Sequence, residues 1–260
     1  MLHALLRRDR AAVFASLVAV IVLAWGYLIL GAGIEMDAMD MGGGQIMLMA
    51  PPWTPGYAAL IFLMWAIMMV AMMLPSAAPT ILLVAALARG RSMPSAGLFT
   101  LGYVLVWIGF SLVATLLQWG LDKAGMLSET MAASSAVIAA IVLIAAGVYQ
   151  WTPLKQACLR HCRSPLAFLT HHWRQGAVGA VTNGVRHGFF CLGCCWTLMA
   201  LLFVGGLMNL LWIAGLAFLV LIEKTLPWGG GMSRVTGAAL VAWGAVTLVG
   251  AYYSVTPSAN

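Results

Sequence analysis

The sequence predicts an all-α fold, a polytopic bundle of about seven membrane-crossing helices with one further amphipathic helix at the membrane surface. Three observations carry that expectation. Of 260 residues, 63% are hydrophobic and 8% charged, more apolar surface than a soluble domain can hide. The apolar residues fall in recurrent runs near the ~20 residues that a helix needs to cross a bilayer. The runs also lack the in–out alternation that a membrane β-barrel requires.

The runs place helices near 11–33, 57–87, 97–120, 131–151, 178–205, 207–225 and 234–254. The first follows Arg7 and Arg8, but its apolar stretch is too long for the core of a cleavable export signal, so it reads as a retained helix. The second contains Pro75, which lacks a backbone donor; it is expected to kink or end the helix and to free the carbonyl of Ala71. The fifth and sixth are separated only by Gly205, Gly206 and Asn209. At about 1.5 Å per residue, Gly188 to Leu226 barely suffices for two crossings. Either the fifth helix begins well before Gly188, which we favour, or one of the pair is re-entrant. Two longer connections remain within what reads as a single integral membrane domain, 1–260. Segment 34–56 is acidic and Met-rich and ends at Pro51, Pro52 and Pro55. Segment 152–177 is basic, and its stretch SPLAFLTHHWR (164–174) fits a short helix in the headgroup layer, anchored by Trp173.

The net charge of +6 does not point to nucleic acid; in a membrane chain the placement of charge matters more than its sum. With alternating spans, eleven cations from Arg7 to Arg234 fall on one side, and Lys123 is alone on the other beside Glu35, Asp37, Asp40, Asp122 and Glu129. The positive-inside rule then predicts a cytoplasmic N-terminus and, with seven spans, a C-terminus on the far side, which is the periplasm if the membrane is a bacterial inner one.

Into the fifth run the sequence inserts RHGFFCLGCCW (186–196). His187, Cys191 and Cys194 share a narrow sector of the helix, with Cys195 at its edge. One imidazole and two or three thiols on one face form the soft donor set that selects Cu(I), with Zn(II) as the alternative. Cysteines also serve simply as small buried residues where helices pack closely, so the pattern is chemical rather than formal. Arg186 must reach the interface or an acid, and Glu223 in the sixth run is the expected charge partner beside the metal ligands. In LMWAIMMVAMMLPS (63–76), Met64, Met68 and Met72 form one stripe and Met69 and Met73 the next. Met64, Met68, Met69 and Met72 are the expected auxiliary thioethers, although methionine is also an ordinary gap-filler. Met36, Met39 and Met41, interleaved with Asp37 and Asp40 and followed by Gly42–Gly44, suit cation capture outside. Cys158, His161 and Cys162 in CLRHC offer a hand-off site on the inner side.

The segments MWAIMMVAMMLPS (64–76), SPLAFLTHHWRQGAVGAVTNGVRHGFFCLGCCWTLMALLFVGGLMNLLWIAG (164–215) and IEKTLPWG (222–229) closely resemble a bacterial family of predicted metal-binding integral membrane proteins of unassigned function. The resemblance runs from Trp53 to Tyr253 and implies metal binding without supplying a reaction. The leading expectation is a protein that binds Cu(I) in the bilayer and transports it or delivers it to a periplasmic copper protein. Two alternatives stand beside it: an accessory subunit packed against another membrane protein, and a membrane thiol or metal oxidoreductase. Cys191 and Cys194 have the C-x-x-C spacing of a redox pair, but inside a helix rather than at an exposed helix start. The sequence has no P-loop to drive transport with a nucleotide.

Overall fold

A computed structural model of the chain describes residues 2–32, 37–40, 46–49, 51–87, 95–128, 131–164, 174–226 and 228–255. Among these, the helices are α1 (Leu2–Ile29), α2 (Pro55–Leu87), α3 (Ser95–Lys123), α4 (Ala136–Tyr149), α5 (Pro153–Arg163), α6 (Gly176–Ala200), α7 (Leu202–Gly205), α8 (Leu210–Thr225) and α9 (Gly229–Val255). The expected all-α bundle is what forms. Its one addition is a hairpin of β1 (Asp37–Asp40) and β2 (Ile46–Met49), antiparallel, with Met39 opposite Met47. The Met-rich segment 34–56 is therefore partly paired backbone rather than plain loop; Met36 and Met41 lie outside the described residues. So do 165–173, and with them most of the expected headgroup helix.

Seven full crossings are not what the described helices provide. Among the described residues five are long and apolar enough to span a membrane: α1, α2, α3, α6 together with α7, and α9. The count rises to six if α4 and α5, bent by 64° from one another, form one span. Helix α4 has 14 residues and α8 has 16, so they extend only about 21 and 24 Å. A hydrocarbon core of about 30 Å exceeds both. Local chemistry sets these lengths. Thr152 accepts from the backbone N–H of Lys155 and Pro153 opens α5, a start signal immediately after α4. Gly206, at φ +88°, breaks the chain after α7, and the side chain of Asn209 caps α8 by accepting from the N–H of Trp212. Even so, the short helices join the same two ends as the long ones. At one end Ala133 N–H donates to the Phe203 carbonyl at 2.7 Å, and the Trp53 indole donates to Asp122 at 2.6 Å. At the other, the Trp151 indole reaches the Arg234 carbonyl at 3.1 Å, and Arg163 reaches that of Leu226 at 2.7 Å.

Two expectations about individual helices resolve differently. The fifth run does begin early, at Gly176. Pro75, by contrast, does not end its helix: α2 continues through Pro75 and Pro79 to Leu87. The carbonyl of Ala71 that Pro75 leaves without an intrahelical donor accepts the Trp25 indole N–H at 3.2 Å. A tertiary hydrogen bond from α1 thus repairs the interruption.

Helix α6 is held at the centre by glycine. Gly184 and Gly188, four apart, face α3, where a Cβ on Gly184 would collide with the Phe99 carbonyl and one on Gly188 would lie 2.8 Å from Val106. Gly102 answers from α3, its missing Cβ replaced by the Val181 carbonyl. Close backbone approach over small residues is how helices associate where lipid removes the hydrophobic drive. Phe99, Tyr103 and Trp107 are buried on the inner side of α3, while Leu101, Leu105, Leu112 and Leu116 form an exposed apolar stripe suited to lipid.

Gly184→Val should lower stability by about 1–3 kcal/mol or more, because its side chain meets backbone that cannot yield. Gly97→Ala, where nothing lies within 4 Å, should leave it unchanged. Thermal unfolding of the detergent-purified chain reads both.

Candidate metal centre

The cysteine-bearing turn of α6 is fixed by its own backbone. The thiols of Cys194 and Cys195 both donate to the carbonyl of Cys191, at 3.1 and 2.9 Å. Two neighbouring side chains folded back on one carbonyl must leave it on different sides, so they meet different helices. Cys195 turns to α2, where its Sγ is 3.8 Å from Met73 Sδ. Cys194 turns to α5, where its Sγ is 3.9 Å from Cys162 Sγ. All three thiols of the turn are buried, and Cys162 is half-buried.

The side of Cys191 and Cys195 contains a cation. Lys224 comes from the last turn of α8 and is buried, and its ammonium donates to Cys191 Sγ at 2.9 Å and to Ser76 Oγ at 3.2 Å. Cys195 Sγ and Met73 Sδ are each 3.9 Å from the same nitrogen. One point inside the bundle therefore has three sulfur atoms around it, contributed by α2 and α6, with positive charge already placed there. Tyr103 of α3 completes the wall, its hydroxyl 3.0 Å from Cys191 Sγ and donating to the Met73 carbonyl at 3.1 Å.

Glu223, one residue earlier, points the other way, as neighbours about 100° apart on a helix must. It forms a buried ion pair with Lys155 of α5, Oε2 to Nζ 2.7 Å. Lys155 also donates to the side-chain carbonyl of Gln150, which in turn accepts from Ser233 of α9 at 3.1 Å. The pair and its network tie α5, α8 and α9 together beneath the sulfur cluster. They cancel one buried cation against one buried anion and leave the charge of Lys224 to the sulfurs.

The structure sorts the expected ligands unevenly. Cys191 and Cys195 are brought together, and Cys194 is turned away to Cys162. His187, buried one turn earlier, packs against the rings of Phe99 and Tyr103, with centroids 5.7 and 5.8 Å away. Among the described residues no group of three or more His, Cys, Asp or Glu side chains is arranged to hold a metal ion. A site of three or more ligands among the described residues therefore has to draw on another donor, and thioether sulfur is the soft one at hand. Met64, Met68, Met69 and Met72 are all buried, yet among the described residues the thioether in contact with a thiol is that of Met73. Its place four residues after Met69 was visible in the sequence; that this stripe, and not its neighbour, faces α6 was not. Arg186 is not the partner of Glu223. Lys155 holds that acid, and the Arg186 guanidinium lies 5.8 Å over the ring of Phe190. Lys155, Lys224 and Tyr103 were the residues that sequence reasoning missed. The only signal for the lysines was a cation beside apolar runs, which marks a water boundary equally well.

A family model described as PpoB2, copper chaperone, matches residues 62–247, from α2 into α9, a stretch that contains every residue of this cluster. No curated protein and no solved structure matches the chain.

Lys155→Met should cost about 3–5 kcal/mol, because it leaves the Glu223 carboxylate buried without its cation. Lys155→Met combined with Glu223→Leu should recover most of that loss. Denaturation of the two variants side by side measures the difference.

Proposed function

The chain belongs to the PpoB2 family of copper chaperones, and from that premise we propose that it carries Cu(I) as cargo inside a membrane-embedded bundle, seated by Cys191, Cys195 and Met73. The observation that carries this reading is the ammonium of Lys224 lying 2.9–3.9 Å from three sulfur atoms. Thiolate and thioether sulfur favour Cu(I) over harder ions, and the seat needs no fourth ligand of the kind structural Zn(II) demands. At metal–sulfur bonds of about 2.3 Å, sulfurs about 3.8–4.0 Å apart subtend the angle of a trigonal or tetrahedral site. Cys195 and Met73 have that spacing, 3.8 Å.

Charge supports the same assignment. Each thiol that binds the ion gives up its proton, so Cu(I) with two thiolates carries one net negative charge. An uncompensated ion in a lipid-embedded interior costs several kcal/mol. Lys224 supplies the single positive charge that neutralises the loaded site. His187 and Cys194 then serve outside the immediate seat, and Met64, Met68, Met69 and Met72 pack α2 around it. The bundle sits in a bacterial inner membrane with the basic ends of α5 and α9 inside and the paired Met-rich hairpin outside, where Met36, Met39 and Met41 meet incoming or departing copper. Delivery to a periplasmic copper protein follows from that placement.

In detergent-purified chain loaded with Cu(I) against a chromogenic chelator, Cys195→Ala and Met73→Leu should each weaken the seated ion by about tenfold to a hundredfold, and Met72→Leu should not. Lys224→Met should weaken it to a similar degree; wild-type affinity in both Cys195→Ala and Met73→Leu would remove the seat. A periplasm-active reporter fused after Asn260 should be active.

A further inference from the structure

We infer that Cys162 and Cys194 form a second Cu(I) station, through which the deep seat exchanges its ion at the α5 face. The inference rests on the copper reading of the deep seat but uses different atoms. The two thiols come from different helices and stand 3.9 Å apart, the spacing that two sulfurs on one soft metal ion adopt at bonds of about 2.3 Å.

Their meeting is built into the helix packing. Cys158 and Cys162, four apart, share one face of α5. Opposite Cys158 the chain has Gly193, where a Cβ would lie only 2.8 Å from Cys158 Sγ. The absent side chain lets α5 close on α6, and the next turn of α5 then presents Cys162 to Cys194. Tyr149 of α4 secures the same spot by donating to the Gly193 carbonyl. His161 is turned out of the pair and stacks on Phe190, centroids 4.0 Å apart, so the station is a cysteine pair across two helices rather than a Cys–His–Cys cluster on one.

The two stations adjoin without merging. Cys194 and Cys195 both donate to the carbonyl of Cys191, one facing each way, so adjacent residues of one helical turn serve the two sites. The deep seat is enclosed by Tyr103, Ser76 and Lys224. Cys162 is half-buried and sits between exposed Arg160 and half-buried Arg163 in the last turn of α5, where it is reachable from the polar edge of the bundle. Transfer is ligand exchange at constant oxidation state. A thiol of the receiving station binds the ion and releases its proton, and the thiolate that lets go takes one up. No oxidant or reductant is needed.

The test uses the full chain in detergent, loaded with Cu(I) and then mixed with excess chelator. The wild type should carry two equivalents. Cys162→Ser and Cys162→Ala, conservative changes at a half-buried position, should each carry one, and that one should leave about tenfold more slowly. Wild-type stoichiometry and withdrawal rate in both Cys162 variants would overturn the station. Loss of the deep seat is read separately: if Cys195→Ala and Met73→Leu bind as the wild type while the Cys162 variants lose an equivalent, the deep reading falls and the outer pair stands.

Discussion

A buried ammonium sets the terms for the centre of this molecule. Lys224 lies among side chains of α2, α3 and α6 and is only 7% exposed, in an interior that offers little solvation to a charge. Four electron-rich atoms lie within 3.9 Å of its nitrogen, three of them sulfur. Lys155, fully buried a helix away, obeys the same constraint with the opposite solution, a carboxylate and an amide oxygen. The pair with Glu223 is electrically closed. Among the described residues the sulfur site has no such carboxylate.

For α2 and α6 to bring sulfur to one point, and for α5 to bring Cys162 against Cys194, the backbones must come close. The glycine seam between α3 and α6 brings Tyr103 against Cys191, and Gly193 brings α5 against Cys194. Pro75 contributes from α2, two residues after Met73. Because Trp25 takes over the freed carbonyl of Ala71, the helix runs on and keeps Met73 and Ser76 on the side of Lys224. A copper-carrying family of this kind needs a seat that holds the ion and still lets it go. For the proposed seat, flexible thioether sulfur and a neighbouring cysteine pair suit that better than a rigid cage of four ligands would.

The fold was largely legible in the sequence because lipid imposes one strong rule, that backbone polar groups be satisfied within each segment. The apolar runs therefore located the helices, and the shortage of chain between Gly188 and Leu226 foretold the early start of α6. Helix ends were read less well. Asn209, Thr152 and Pro153 trim α8 and α4 to less than a bilayer's width, and hydropathy averages blur such caps. Pro75 was legible as the source of a freed carbonyl at Ala71 but not as a residue the helix runs past, because that depends on what satisfies the carbonyl, and the answer was an indole forty-six residues away.

By itself the sequence determined the class of the protein and the chemistry available to it: helices in lipid, soft donors on α2 and α6, and a family of metal handlers. Composition and helical spacing are sufficient for that, since they fix what each segment is and which residues share a face. Only the tertiary structure decided which faces meet. It chose Met73 over Met72, gave Glu223 to Lys155 rather than Arg186, and divided Cys194 from Cys195 although they are adjacent. Rotation of one helix against another is set by close contacts at Gly184, Gly188 and Gly193. A rotation of a few tens of degrees changes which side chains meet while leaving the hydrophobic pattern untouched.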